Sequence, residues 1–178
     1  IKAVPGRFEK IGNLYNNSIT ILDFAHTPDA LETCILNVKE QFKHRKINVL
    51  FGCGGERDRN KRSMMGRISN NLCDKIYLTD DNPRSENPKK IRQQIKVNIS
   101  KSKLIEISSR KKAIETAIAE LKSDEILIVA GKGHEIYQEY KTKKYFSDKE
   151  CMIKAINKKN KKLSTNIKVN ILNEHFNN

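Results

Sequence analysis

The sequence has no tryptophan, and aromatic residues make up only 6% of it. Single-stranded nucleic acids are usually bound on aromatic side chains, so this scarcity argues against that function class. No apolar run approaches the roughly 18 residues that a membrane span requires. Lys2, Arg7 and Glu9 interrupt the start of the chain, which argues against a signal peptide. We therefore expect a soluble, cytoplasmic protein without a membrane partner.

The four cysteines are too scattered to predict a structural zinc site. They form no CxxC pair and have no pair of histidines nearby, and they are Cys34, Cys53, Cys73 and Cys151. Structural zinc sites combine such pairs at short spacing. Isolated cysteines are typical of the reducing cytosol. We expect no metal to be bound by a motif of this chain.

The formal charge of +14 first suggests a nucleic-acid partner. Lysine, however, is spread along nearly every predicted helix, and asparagine and isoleucine are also abundant throughout. This distribution favours a general compositional bias with solvated lysine faces. No helix-turn-helix, RRM or zinc-finger pattern accompanies the charge, so we expect no nucleic acid as a partner.

The length of 178 residues suffices for one well-packed domain and not for two. Because the chain begins with Ile1 rather than methionine, we expect a fragment of a longer protein or a processed product. We expect the domain to cover residues 1–157. Residues 158–178 are dominated by lysine and asparagine, and we expect them to be loosely attached or disordered. A weak strand over residues 167–172 is the alternative.

Short apolar runs alternate with helical patterns along most of the chain. A hairpin is predicted over residues 8–24 and a helix from Thr27 to about Lys43. Strands over residues 47–51, 75–79 and 104–107 are each followed by a predicted helix, and a last strand covers 125–130. An edge hairpin over 136–147 and a helix over 148–157 follow. Apolar strands separated by amphipathic helices predict an α/β fold with a mostly parallel sheet covered on both faces and an antiparallel edge strand or hairpin.

Four polar clusters lie where predicted strands end, over residues 23–29, 52–62, 81–86 and 131–135. In open parallel sheets, ligands bind beyond the carboxyl ends of the strands. The clusters offer Arg57, Arg84, Glu135 and the amide of Asn82. Arginine grips a carboxylate with two hydrogen bonds, and a carboxylate binds an ammonium group. The residues alone therefore predict a polar site for a small zwitterionic or anionic ligand.

Each cluster also has a structural explanation. Tight turns explain four glycines about as well as ligand contact does: Gly52, Gly54, Gly55 and Gly133. Close approach of a ligand is favoured only for Gly131. Asn82 and Pro83 would fit the start of a helix, although that gives no reason for Arg84. A solvated charged turn would explain Arg57, Asp58, Arg59 and Arg62. The two histidines of these clusters, His26 and His134, would fit hydrogen-bonded structural roles.

Six stretches, in this order, resemble the Mur ligases, and within that family the members that add diaminopimelate. They are VPGRFE (4–9), DFAHTPDALE (23–32), GCGGERDRNKR (52–62), DNPRSENP (81–88), AGKGHE (130–135) and FSDKE (146–150). Any one of them is weak evidence, whereas DNPR together with GKGHE at this separation is specific. The resemblance covers about residues 4–150. It implies that the chain is the carboxyl-terminal, Rossmann-like domain of such an enzyme.

The resemblance implies ATP-dependent and Mg²⁺-dependent amide synthesis for peptidoglycan. A carboxylate of UDP-N-acetylmuramoyl-L-alanyl-D-glutamate is phosphorylated, and the amine of meso-diaminopimelate attacks the acyl phosphate. No P-loop pattern GxxxxGK(S/T) occurs in this chain, and in the family the P-loop and magnesium site belong to a central domain. The UDP-sugar is held by an amino-terminal domain. The catalytic residues are expected in the central domain, so the isolated chain is expected to be inactive.

By the same resemblance, seven residues hold diaminopimelate: Arg57, Asp81, Asn82, Pro83, Arg84, Gly131 and Glu135. Arg84 is the discriminating one, because lysine has no second carboxylate to grip. Three more residues are expected to approach the nucleotide when the domains close: Arg7, Asp23 and His26. The alternatives are a related ligase of the lysine-adding or folylpolyglutamate type, and a basic α/β module that binds nucleic acid.

Overall fold

The computed structural model describes residues 6–176, with side chains described up to Thr165. In this described part of the chain, six strands form one sheet in the order β1-β2-β6-β3-β4-β5. Their bounds are β1 Glu9–Lys10, β2 Ile19–Asp23, β3 Ile47–Phe51, β4 Lys75–Leu78, β5 Leu104–Glu106 and β6 Ile126–Ala130. Only β1 pairs antiparallel with its neighbour, and the other pairs are parallel. The predicted mostly parallel sheet with an antiparallel edge strand is confirmed.

Within residues 6–176, five helices cover the sheet, and their bounds are α1 Pro28–Gln41, α2 Asn60–Leu72, α3 Pro88–Lys96, α4 Arg110–Glu120 and α5 Asp148–Phe176. Alternate residues of the central strands enter opposite cores. Val49 of β3 packs in a core with α1, α2 and α3, whereas its neighbour Leu50 packs in a core with α4 and α5. Every residue of β3 and β6 is buried, because both faces of a parallel sheet are covered by helices. The prediction of helices on both faces is confirmed.

Helix α1 begins as predicted, with Thr27 as its cap and Pro28 in the first turn. Helix α3 begins differently, because its cap is Asn87 and its first residue is Pro88. The interpretation of Asn82 as a helix cap is therefore wrong. The side chain of Asn82 instead contacts other elements of the candidate site.

The hairpin predicted over residues 136–147 is formed by β7 Tyr137–Glu139 and β8 Lys143–Tyr145. It makes a separate two-stranded sheet rather than an edge of the main one, so its expected place was wrong. It lies beside the segment that follows β4, since the amide of Arg84 donates to the carbonyl of Glu139.

Helix α5 continues to Phe176, so the predicted helix end at Asn157 and the alternative strand over 167–172 are wrong. Lys159 Nζ donates to the carbonyl of Ile118 at 2.9 Å and to two more carbonyls at the end of α4. Helix ends leave such carbonyls without partners, and a lysine satisfies them. The side chain of Asn160 donates to the carbonyl of Asn13 at 2.7 Å. The first residues of the expected loose tail are therefore fixed to the domain.

None of the helices within residues 6–176 has both the length and the apolar content that a bilayer crossing requires.

Candidate functional site

A cleft of about 480 Å³ opens beyond the carboxyl ends of the central strands. Six of the seven residues predicted to hold diaminopimelate line it: Arg57, Asp81, Asn82, Arg84, Gly131 and Glu135. They follow β3, β4 and β6, which are neighbours in the sheet. Pro83, the seventh, is buried beside them and does not line the cleft. His26 also lines this cleft.

The loops after β3 and β4 are joined directly to each other. The amide of Gly55 donates to the carbonyl of Asn82 at 2.9 Å, and Arg84 Nη1 donates to the carbonyl of Gly55 at 2.7 Å. Arg84 adopts a left-handed backbone with φ of 55°, which costs energy in a residue with a side chain. The loop contacts hold the guanidinium of Arg84 at the cleft in spite of that cost.

Two glycines in the loop after β3 are required by this close packing. A Cβ on Gly52 would lie 2.3 Å from the carbonyl oxygen of Thr79, and one on Gly55 would lie 1.9 Å from that of Pro83. No side chain fits at such distances from a main chain. Of the two explanations left open by the sequence, the structural one holds for Gly52 and Gly55.

Glu86 ties the same two loops together from beneath the cleft. Its carboxylate accepts from both terminal nitrogens of Arg62 at 3.0 Å and from the amide of Glu56 at 2.5 Å. The hydrogen bonds from Arg62 lower the pKa of Glu86 to about 2. Arg62 is fully buried, so the expectation of a solvated turn over residues 57–62 is wrong for this arginine. Arg57 and Asp58 are exposed, as such a turn would have them.

Lys132 is the site residue that the sequence reasoning missed. Its side chain is fully buried, and its Nζ donates to Asn82 Oδ1 at 2.9 Å and to Glu135 Oε2 at 2.8 Å. Asn82 Nδ2 donates to the same oxygen of Glu135 at 3.0 Å. The one available indication was its place between Gly131 and Gly133, directly after a buried strand.

The β7 strand is hydrogen-bonded to the segment after β4. Glu139 donates its amide to Asn82 Oδ1 at 2.9 Å and accepts from the amide of Arg84 at 3.0 Å. Its carboxylate lies 3.3 Å from Arg84 Nε. Gln138 Nε2 donates to the carbonyl of Asp81 at 2.9 Å. The orientation of the predicted binding residues is thus set by a hairpin to which no function was assigned.

A second buried cation lies beneath the cleft. Arg110 donates to both carboxylate oxygens of Asp148, at 2.8 and 2.6 Å, and to the carbonyl of Ala130 at 2.9 Å. The paired carboxylate of Asp148 raises the pKa of Arg110 despite its burial. The remaining nitrogen, Nη1, has no hydrogen-bond partner among the described residues and lies 3.7 Å from Asp81 Oδ2. Arg110 therefore connects the first turn of α5 to an acid of the cleft.

The three residues expected near the nucleotide line an adjacent cleft of about 460 Å³: Arg7, Asp23 and His26. Asp23 accepts from the amides of Phe8 and Ala25, both at 2.7 Å, and His26 Nδ1 lies 2.9 Å from the carbonyl of Phe24. Asp23 and His26 therefore have the structural contacts that the turn requires. Phe24 and His26 line both clefts and lie where the two meet.

Within the described residues, no three side chains of histidine, cysteine, aspartate or glutamate come together as metal ligands would. The four cysteines are free and buried.

Comparison with known proteins gives a consistent result. Residues 6–133 match the model of the Mur ligase, glutamate ligase domain family. The chain is 45% identical over 163 residues to UDP-N-acetylmuramoyl-L-alanyl-D-glutamate–2,6-diaminopimelate ligase of Rickettsia felis, covering 90% of this chain and 30% of the relative. It is 48% identical over 158 residues to the ligase of the same name from Rickettsia rickettsii, covering 88% of this chain and 32% of the relative.

A solved structure of a ligase with that name superposes with a TM-score of 0.80 at 34% identity, covering 88% of this chain and 32% of the other. The chain thus spans about a third of the length of the proteins that it matches.

Proposed function

Because this chain belongs to the Mur ligase family, we propose that it supplies the amino-acid-binding domain of an ATP-dependent ligase. The proposed reaction adds meso-diaminopimelate to UDP-N-acetylmuramoyl-L-alanyl-D-glutamate during peptidoglycan synthesis. The diaminopimelate-adding relatives, of which the chain matches about a third, support the choice of substrate. The remaining two thirds of such an enzyme would bind the UDP-linked precursor and carry out the phosphorylation. Since the reaction consumes ATP, we place it in the cytoplasm.

The single observation that carries this proposal is the convergence of opposite charges in one cleft. Arg57, Arg84 and Glu135 line it together, although they lie on three different loops. Two guanidinium groups suit two carboxylates, and bidentate pairing favours arginine for this purpose. Glu135 already accepts two hydrogen bonds on Oε2, so its Oε1 is the oxygen that we assign to a ligand ammonium.

The contribution of this domain to the reaction is binding and orientation. An amine attacks an acyl phosphate efficiently when both are held at reacting distance, because the entropy of bringing them together has been lost on binding. Anchoring the carboxylates fixes the position of the diamino acid in the cleft. Arg84 favours diaminopimelate over the lysine-adding alternative, since lysine would leave a charged donor unpaired. A substrate of the folylpolyglutamate type is disfavoured by Glu135 instead, because glutamate has no second ammonium to pair with this carboxylate.

We infer that the adjacent cleft, with Arg7, Asp23 and His26, faces the nucleotide of the complete enzyme. A guanidinium near phosphates and a polar turn suit this position. We assign the ligands of Mg²⁺ to the rest of the enzyme, because the carboxylate of Asp23 at this cleft already accepts hydrogen bonds from two main-chain amides. ATP and Mg²⁺ when bound there would activate the precursor carboxylate.

The proposal is tested by replacing Arg84 with alanine in the complete ligase. Loss of a charged hydrogen-bond partner should weaken diaminopimelate binding by about 2–4 kcal/mol. Binding of ATP should not change, because Arg84 lines only the amino-acid cleft. Steady-state kinetics with each substrate varied in turn measures both effects.

A matched control is Arg67→Ala, which removes an exposed arginine of α2 outside both clefts. It should leave all Michaelis constants at the wild-type values. An unchanged Michaelis constant for diaminopimelate in Arg84→Ala would refute the assignment of this cleft.

A further inference from the structure

Two of the three acids that line the amino-acid cleft, Asp81 and Glu135, have buried cations behind them. Glu135 receives a hydrogen bond from Lys132, and Asp81 faces Arg110 Nη1 at 3.7 Å. The side chains of both cations have no exposed surface. The negative charges of Glu135 and Asp81 are therefore balanced by the buried positive charges of Lys132 and Arg110 before a ligand binds.

The cations at the mouth of the cleft are not offset in this way. In the part of the chain that the structure describes, Arg57 and Lys61 donate only to main-chain carbonyls, those of Glu56 and His26. Both side chains line the cleft. Arg84, the third cation of the cleft lining, is paired with Glu139 at 3.3 Å. The buried cations behind Glu135 and Asp81, together with Arg57 and Lys61, give a cleft that attracts carboxylates and disfavours a ligand with a net positive charge.

Burial makes this effect stronger at Lys132 than at the surface. Its ammonium is away from water, where charges interact over longer distances than in solvent. It holds the side chain of Asn82 by its oxygen, and the ring of Tyr137 lies 5.2 Å from it on another side. The charge therefore has a fixed place directly behind Glu135, the group assigned to a ligand ammonium.

We propose that Lys132 is a specificity-determining residue that rejects diamino acids with a single carboxylate. L-lysine carries a net positive charge, whereas meso-diaminopimelate is net neutral, so an extra fixed cation disfavours only the former. Arg84 would attract the correct ligand, and Lys132 would repel the wrong one, which is how selective sites commonly combine attraction with repulsion. This inference depends on the proposed function, because it takes the cleft to be the site of the diamino acid.

The test replaces Lys132 with methionine, which has a similar length and no charge, in the complete ligase. The measured quantity is the ratio of kcat/KM for meso-diaminopimelate to kcat/KM for L-lysine, with lysine also measured as a competitive inhibitor. Loss of the buried charge should lower this ratio by a factor on the order of ten to a hundred. A purely structural role would lower both rates equally and leave the ratio unchanged. The Michaelis constant for ATP should stay at the wild-type value.

Lys143→Met is the matched control. Lys143 is exposed, and its ammonium lies 4.8 Å from the same Tyr137 ring. The variant removes an equal charge close by, but outside the cleft and away from Glu135. The ratio should not change in this variant, and a fall equal to that of Lys132→Met would overturn the proposal.

Glu135→Gln keeps the proposal testable if Lys132→Met does not fold. It removes the negative charge that balances Lys132. The buried ammonium then repels a net positive ligand more strongly, so the ratio of kcat/KM for meso-diaminopimelate to kcat/KM for L-lysine should rise. An unchanged ratio in a folded Lys132→Met, or an unchanged or lower ratio in Glu135→Gln, would overturn the role of Lys132. Failure of the wild-type enzyme to use meso-diaminopimelate is a separate result, and it would overturn the proposed function instead.

Discussion

Glu86 shows how a single side chain can hold a binding site from outside it. It receives Arg62 and the amide of Glu56, and so connects the loop of Arg57 to the loop of Arg84. Its pKa is lowered to about 2 by these donors. A carboxyl group with a lowered pKa in the folded state stabilises the fold above its ordinary pKa of about 4.3. This stabilisation is lost as the pH falls from there toward 2.

We expect Glu86→Gln to be less stable than the wild type at pH 7, with a difference that shrinks as the pH is lowered through this range. The reason is that Glu86 of the unfolded wild type takes up a proton below its ordinary pKa, whereas the folded protein keeps this carboxylate charged until about pH 2, so protonation favours the unfolded state. Urea unfolding of both proteins, followed by circular dichroism at several pH values, measures the difference. A difference that is constant between pH 7 and pH 3 would show that Glu86 does not act through its charge.

The sequence identified the residues that face the cleft better than those that support them. Arg57, Arg84 and Glu135 were predicted from residue type and from the ends of strands. Lys132 and Arg62 were not, because a buried cation depends on partners that are distant in the chain. Lys132 bonds to Asn82, 50 positions away, and Arg62 to Glu86, 24 positions away.

At the scale of the elements, α2 and α3 pack so closely that their contact requires a glycine. A Cβ on Gly66 of α2 would lie 2.0 Å from the carbonyl oxygen of Ile95 in α3.

The start of α3 is also decided by contacts with distant parts of the chain. Asn82-Pro83 and Asn87-Pro88 have the same pattern of a cap followed by proline. Only the second begins a helix, because the first asparagine is bound by Lys132 and the β7 strand.

We expect Gly66→Ala to destabilise the protein by about 1–3 kcal/mol, since overpacking forces the two helices apart. Alanine in a helix interior is otherwise favoured over glycine by up to about 1 kcal/mol, so the sign of the change reports the clash. Denaturant unfolding gives the value. The control Asn71→Ala, at an exposed position of α2, should change stability by less than about 0.5 kcal/mol. A more stable Gly66→Ala would mean that the helices do not pack as described.

At the scale of the whole molecule, the strand order brings the binding loops together. Parallel strands covered by helices were predicted from the alternation of apolar runs and helical patterns. The order β1-β2-β6-β3-β4-β5 was not, because local patterns do not record which strands pair. Insertion of β6 beside β3 places Gly131 and Glu135 next to the loop of Arg57. The continuation of α5 beyond Asn157 was not predicted for a similar reason, since Lys159 and Asn160 donate hydrogen bonds to segments that are distant in the chain.

The most direct test is a crystal structure of the complete ligase with meso-diaminopimelate. We expect the ligand in the cleft between the loops that follow β3, β4 and β6. One of its carboxylates should lie on Arg84, and an ammonium should lie on Glu135 with Lys132 directly behind it. A ligand bound elsewhere, or one that contacts neither Arg57 nor Arg84 with a carboxylate, would contradict the account.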